Sequence, residues 1–292
     1  MLNKRGKAFD MAGGTLNQFP WLRYLIPEKI GYNLLLTLNK EVEELFKGTI
    51  KQYQNTWQPG RQDNLIYSFL SERERCEENK KTFTDEQLII VFLDLFLGAT
   101  QTSGATINFV LLMMLLHPHV QAKAFEEINE SLDPNKPLYY KDRVKVPYVE
   151  AIILEVSRLF PIAALAAPRR VLRDTVLDGY TVPKGSTVYA NLYSVHHDDS
   201  YWCDPEVFRP ERFLDGKGNV QSNDRLLNFG LGKRRCLGEL LARQCIFIFF
   251  VGILRKYQIC PVPNQVLPST KPAPGIFLSP QKYKARLIAR FL

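Results

Sequence analysis

Cys236 stands in the run Phe229-Gly230-Leu231-Gly232-Lys233-Arg234-Arg235-Cys236-Leu237-Gly238. If it is a metal ligand, each neighbour has a physical reason. A cysteine opening a helix sits at the positive end of the helix dipole, which favours thiolate, the metal-binding form. Gly232 and Gly238 let backbone approach a flat ligand closely and aim N–H groups at sulfur. Arg234 can reach an anionic carboxylate at that ligand's edge, and Phe229 can pack beside the sulfur and keep water away. A lone loop cysteine is more often a small buried hydrophobe. The spacing of its neighbours raises this one above that reading.

Two further groups could carry chemistry or support it. Glu155 and Arg158 lie three apart, so on a helix their charges pair on one face; alone, such a pair is usually a solvated contact. Gly98-Ala99-Thr100-Gln101-Thr102-Ser103 is a polar cluster inside an apolar run, a local violation that tends to mark function. His196-His197 resembles a metal pair, but adjacent residues in a turn read as structural. No catalytic triad or phosphate-cradling loop occurs.

The elements that must position these residues are mostly helical. Apolar positions Leu35, Leu38, Val42, Leu45, Phe46 and Ile50 place a helix over 32–57, and another is expected over 63–75 before a charged loop from Arg73 to Lys81. Thr84 with Gln87 forms a capping-box start for a long helix that His117-Pro118 ends near Leu116. Leu88 to Leu116 holds a single charge, Asp94, and is long enough to span a bilayer. Thr100 to Ser103 at its midpoint would be costly against lipid, so a core helix is the better reading. Shorter helices follow over 119–131 and 148–160, the latter led by Pro147. From Arg169 to His197 the chain reads as short strands with turns at Asp178-Gly179 and Pro183-Lys184-Gly185. Residues 198–235 are turn-rich. Cys236 opens a last helix, Leu237 to about Lys256, apolar all round from Ile246 to Leu254 and so expected to be buried. A Pro-rich tail over 261–280 suits irregular structure and small strands.

The 292 residues, 46% hydrophobic and 12% aromatic, support a substantial core. The net charge of +8 suits an acidic partner or an anionic membrane surface, or is a dispersed solvated excess. There is no zinc-finger spacing and no aromatic RNA-binding signature, so nucleic acid is not expected. Five scattered cysteines, Cys76, Cys203, Cys236, Cys245 and Cys260, argue against a disulfide framework or structural zinc and fit a reducing compartment. The first thirty residues hold no long apolar run.

The spacing F-x-x-G-x-R-x-C-x-G ending at Gly238 resembles the heme-binding signature of the cytochrome P450 family without departure. Glu155-Val156-Ser157-Arg158 resembles that family's E-x-x-R motif, and Phe208 to Phe213 its P-E-R-F segment, whose Arg212 completes a structural Glu-Arg-Arg network. Gly98 to Ser103 resembles its oxygen-binding groove, A/G-G-x-D/E-T-T. There Thr102 matches the threonine that donates to iron-bound dioxygen. Gln101 replaces the usual acid, Ala99 the usual Gly, and Ser103 the frequent second Thr; an amide cannot relay a proton through an ionised carboxylate. His117-Pro118, Pro147-Tyr148, Pro183-Lys184-Gly185 and Trp202-x-Asp204-Pro205 also fall in family order.

By the same resemblance Arg169 contacts a heme propionate. Ala99, Ile162, Ala163, Leu165, Ala166, Ile276 and Phe277 fall along a substrate cavity, although each could equally be ordinary core. The resemblance runs from about Phe9 to Phe291 and is closest to microsomal animal members, arthropod ones included. It places residue 1 near the family's helix F, with the anchor, first sheet and helices through E absent, and residues 1–292 as one partial domain. It implies a mainly α fold with a small β part, heme b held by Cys236, and monooxygenation (hydroxylation or epoxidation) of a lipophilic small molecule with O2. The implied electron donor is NADPH-cytochrome P450 reductase, which the basic run Lys233 to Arg235 would suit, with cytochrome b5 a further candidate. The implied location is the cytosolic face of the endoplasmic reticulum membrane, where the Trp21 region is a candidate dipping segment. The rival readings are a heme-thiolate isomerase, a non-catalytic or heme-incompetent fragment, and a bitopic membrane protein.

Overall fold

The computed structural model describes residues 16, 19–75 and 77–290. Cys76, Phe9 and Phe291 lie outside the described residues. The chain divides into two compact units, Met1–Gln101 and Thr102–Leu292, with the boundary inside its longest helix.

In the first unit, α1 (Leu22–Leu25) leaves Trp21, Tyr24 and Leu25 exposed. Helix α2 (Tyr32–Gln54) begins after Gly31, whose φ of 71° lets the chain turn into it. It buries Leu38, Val42, Phe46 and Ile50, four positions four apart. Leu45, expected on that face, points outward, because it stands one residue off the stripe. Helix α3 (Leu65–Arg75) packs Ile66, Phe69 and Leu70 against it. The charged loop expected to Lys81 contains instead a short helix, α4 (Glu77–Thr82). Its acids lie in the first turn and its lysines in the last, as the helix dipole favours, and Lys80 pairs with Glu77 at 2.8 Å.

Helix α5 (Asp85–Leu116) starts where Thr84 Oγ1 accepts the Gln87 N–H at 3.2 Å. By length and composition it could cross a membrane. Its last turns, Phe109, Val110 and Leu112 to Leu115, are enclosed by protein, whereas residues 89–104 are only partly covered.

The second unit is built on the end of α5, α6 (Pro118–Ser131), α7 (Pro147–Leu159) and, later in the chain, a last long helix. Proline opens both α6 and α7, where its missing N–H is not needed. The Glu127 carboxylate then accepts the N–H groups of Tyr148 and Val149 at 2.9 Å each, supplying the acceptors that the start of α7 lacks. Phe109 stacks on Phe160 with centroids 4.2 Å apart.

Four two-stranded antiparallel ladders follow: β1 (Arg169–Arg170) with β4 (Thr187–Val188), β2 (Thr175–Leu177) with β3 (Tyr180–Val182), β5 (Tyr257–Cys260) with β8 (Arg286–Ala289), and β6 (Pro272–Ala273) with β7 (Ser279–Pro280). Asp178 and Gly179 both take positive φ in the β2–β3 turn, the geometry a two-residue hairpin needs. The strand reading stops short of His197, because Asn191 Oδ1 accepts the Ser194 N–H and caps helix α8 (Leu192–His196). Asp198 caps α9 (Asp199–Trp202) in the same way. The last helix, α10 (Glu239–Lys256), buries Ile246, Phe247, Phe250, Val251 and Leu254. It is not enclosed all round: Ile248 and Phe249 are exposed, since the core lies along one face only.

Buried Gln121 joins α6 to β5. Its amide donates to the Met114 and Ile259 carbonyls at 3.0 and 2.9 Å and accepts the Ile259 N–H at 2.7 Å. Gln121→Leu keeps the volume and strands three backbone groups, so denaturant unfolding should show a loss of about 1–3 kcal/mol.

Candidate functional site

The site is assembled from a buried carboxylate outward. Helix α7 turns Glu155 and Arg158 inward, and both are fully buried at 0% exposure. Arg158 Nε and Nη2 donate to the two Glu155 oxygens at 2.8 and 2.9 Å, a bidentate pair. The same carboxylate accepts Arg212 Nε at 2.9 Å and the Arg209 N–H at 3.0 Å.

Arg212 sits in a short 3-10 turn, Pro210–Phe213, and the chain before it wraps its guanidinium. The carbonyls of Trp202, Asp204 and Val207 accept from it at 2.6, 3.3 and 3.2 Å. Cys203 and Asp204 take φ near 43° and 42° to turn those carbonyls inward, a conformation L-residues resist and which the bonds to Arg212 hold in place.

A second set of bonds ties α7 to the segment before Cys236. Arg158 Nη1 donates to the His196 carbonyl at 2.8 Å, and the Leu227 N–H donates to His196 Nε2 at 2.9 Å. Asn228 Nδ2 donates to the Ser157 carbonyl at 2.5 Å. The chain then turns through Gly230 and Gly232, both with φ near 70°, where a side chain would be strained. It passes a 3-10 turn, Gly232–Arg234, and closes when the Cys236 N–H donates to the Phe229 carbonyl at 2.8 Å.

Cys236 is exposed and free, as are the other described cysteines in being unbonded to one another. Helix α10 begins later than Leu237: Gly238 is its N-cap and Glu239 its first residue. The thiol therefore lies just before the helix start, with exposed Leu231 and Leu237 beside it. Glu239 pairs with Arg235 at 2.7 Å and with Arg243 at 3.0 Å, and the Arg243 guanidinium lies 5.0 Å over the Phe229 ring. The loop is thus pinned at both ends. The i,i+4 spacing of Arg235, Glu239 and Arg243 was the signal for the second pin; nothing local in the sequence pointed to the contact between Asn228 and Ser157.

The remaining expected residues lie on separate elements of the chain. Arg234 is exposed in the 3-10 turn, and Arg169 pairs with Val188 in β1. Ile162 packs on the core, and its carbonyl accepts the Leu278 N–H at 2.8 Å. Ala163 and Ala166 are half-buried, Leu165 is exposed and bridges Asn191, Ile276 is exposed and Phe277 half-buried in the tail. Thr102 is half-buried in α5, and its carbonyl accepts the Thr106 hydroxyl at 3.1 Å. Ala99 and Gln101 belong to the first unit. The two histidines part: His196 is enclosed, while the His197 ring stacks on Tyr193 at 3.9 Å. No cluster able to hold a metal ion through His, Cys, Asp and Glu together occurs among the described residues.

The model of the family described as cytochrome P450 matches residues 3–287. The chain belongs to the cytochrome P450 family. Among curated P450 relatives, it is 39% identical to probable cytochrome P450 305a1 of Drosophila melanogaster over 99% of this chain and 59% of that protein. It is 37% identical to farnesoate epoxidase of Bombyx mori over 95% of this chain and 56% of that one. It is 35% identical to cytochrome P450 2J5 of Mus musculus over 96% and 55%. The chain thus spans a little over half the length of these relatives.

Burial, with smaller contributions from the His197 and Arg158 charges, pushes the His196 pKa down from 6.5 to about 4. The unfolded chain therefore binds a proton between those values that the folded P450 refuses, and stability falls as pH drops from 6.5 toward 4. Unfolding free energy measured across this window should decline by up to about 1.4 kcal/mol per pH unit from this residue. His196→Gln, which does not titrate there, should flatten that slope.

Proposed function

We propose that this chain is the heme-bearing part of a monooxygenase that places one oxygen atom of O2 into a lipophilic small molecule. The observation that carries the reading is the exposed Cys236 thiol, on a loop pinned to a buried ion-pair network. The residues present fit a flat iron porphyrin. The thiol is a soft ligand of the type such iron takes. A Cβ at Gly238 would stand 3.9 Å from the sulfur, so the glycine keeps that side of it open. Exposed Leu231 and Leu237 offer an apolar surface beside the thiol. Heme b, when bound, supplies activation of dioxygen and oxygen transfer, with the thiolate's electron donation favouring O–O cleavage.

The chain's own groups then have separable tasks. Cys236 Sγ would hold the iron as thiolate, and Phe229, which lies under the Arg243 guanidinium, is assigned to shielding the sulfur from water. Arg234 and Arg169 are assigned to the propionates, where a guanidinium matches a carboxylate edge. Thr102 Oγ1 holds a proton for dioxygen, and the neighbouring Gln101 amide can donate and accept but carries no ionisable proton. Ala99, Ile162, Ala163, Leu165, Ala166, Ile276 and Phe277 are assigned to the substrate side. The family match running from residue 3 to 287 supports reading both units as parts of one domain.

Electrons are proposed to come from NADPH through cytochrome P450 reductase, with cytochrome b5 as a second donor, and the exposed Lys233 to Arg235 suit an acidic partner. A relative named farnesoate epoxidase supports alkene epoxidation beside hydroxylation. Resemblance to microsomal members supports the cytosolic face of the endoplasmic reticulum, and the exposed Trp21, Tyr24 and Leu25 suit a membrane surface.

Loading the chain with heme and recording the reduced carbon monoxide spectrum tests the reading. A thiolate-type Soret band should form with the natural sequence and vanish in Cys236→Ala. The same band in Cys236→Ala would overturn the ligand assignment, and turnover independent of NADPH would favour a heme-thiolate isomerase.

A further inference from the structure

Just upstream of Gly230, two adjacent residues, Leu227 and Asn228, bond the Cys236 loop to α8 and α7, after the Arg225–Asp198 pair at 2.8 Å. The peptides of this stretch are held on both sides: the Leu227 N–H donates to His196 Nε2 at 2.9 Å and its carbonyl accepts the Gly230 N–H at 2.9 Å. One residue further on, the Phe229 carbonyl accepts the N–H of Cys236 itself. The Leu227 N–H that the imidazole holds is thus two residues before the carbonyl that fixes the cysteine.

His196 is fully buried, at the end of α8, and its own carbonyl is fixed by Arg158 Nη1. Its backbone is held by the Glu155–Arg158 pair while its ring holds the loop. An imidazole nitrogen that accepts a hydrogen bond must be unprotonated, so the ring proton resides on Nδ1. Nδ1 has no hydrogen-bond partner among the described residues, so the Leu227 contact is what selects the tautomer.

We propose that His196 is a positioning residue for Cys236, a side chain through which the buried Glu155–Arg158 pair orients the start of the ligand loop. This rests on the heme-thiolate reading, and it makes a claim that holds without heme as well. The side chain is chosen by one requirement, an acceptor at the Nε2 position. A glutamine places its amide oxygen there; a leucine of similar bulk offers none, and an asparagine is too short to reach.

The test compares His196→Leu and His196→Gln with the natural sequence by two measurements. In the heme-free chain, amide hydrogen exchange at Leu227 and Cys236 should rise roughly tenfold to a hundredfold in His196→Leu, as removal of a buried acceptor predicts, and return to near the natural rate in His196→Gln. In the heme-loaded chain, the thiolate-type fraction of the reduced carbon monoxide spectrum should fall in His196→Leu and recover in His196→Gln. If His196→Leu does not fold, His196→Asn takes its place with the same expectation. Unchanged Leu227 exchange in the variant without an acceptor would overturn the clamp. Faster exchange at Leu227 with Cys236 exchange and the thiolate fraction both unchanged would reduce His196 to packing and overturn the positioning role. If the natural sequence itself gives no thiolate-type band, the heme reading fails, and Cys236 exchange in the series still decides whether His196 orients the loop.

Discussion

One carboxylate organises this chain. Glu155 is sealed from water, and it is tolerated there because four donors from three arginines surround it: two from the Arg158 guanidinium, one from that of Arg212 and the Arg209 N–H. A buried charge stripped of a partner costs about 3–5 kcal/mol, so the two segments that supply these donors, α7 and the turn from Arg209 to Arg212, are held to one arrangement. The arrangement is expensive to assemble and offers little net stability over well-packed apolar residues. What it provides is geometry, because a bidentate guanidinium fixes both distance and angle.

That geometry is passed on to a cysteine that does none of the packing itself. Cys236 lies exposed, between a glycine-relieved turn and the start of α10. Its placement comes from bonds made by its neighbours: Leu227 and Asn228 to α8 and α7 on one side, Arg235 and Arg243 to Glu239 on the other. In the reading proposed above, a thiol exposed on a tethered loop would meet a large flat cofactor without a neighbour having to move, which is what pre-organisation of a metal site requires.

Much of this was legible in the residues, for identifiable reasons. The long helices carry caps and apolar periodicity, so Thr84 and Pro147 marked helix starts, and His117-Pro118 a helix end, to within a residue or two. The Phe229 to Gly238 run and the Glu155–Arg158 spacing are local patterns, and local patterns survive without knowledge of the fold. The charged stretch after Arg75 misled because its ion pairs are a helix signal as much as a loop signal. Ile248 and Phe249 misled because an apolar residue says nothing about whether a neighbour covers it. His196 shows the remaining limit: its partner Leu227 lies 31 positions away, and no periodicity encodes a bond across that separation.

The network around Glu155 sets the cysteine loop rather than merely adding to the core. Amide hydrogen exchange in Glu155→Gln, which keeps the shape and removes the charge, tests it most directly. Exchange across Leu227 to Cys236 should accelerate while Phe247 and Val251 in α10 stay protected. Loop amides as protected as in the natural sequence would contradict the account.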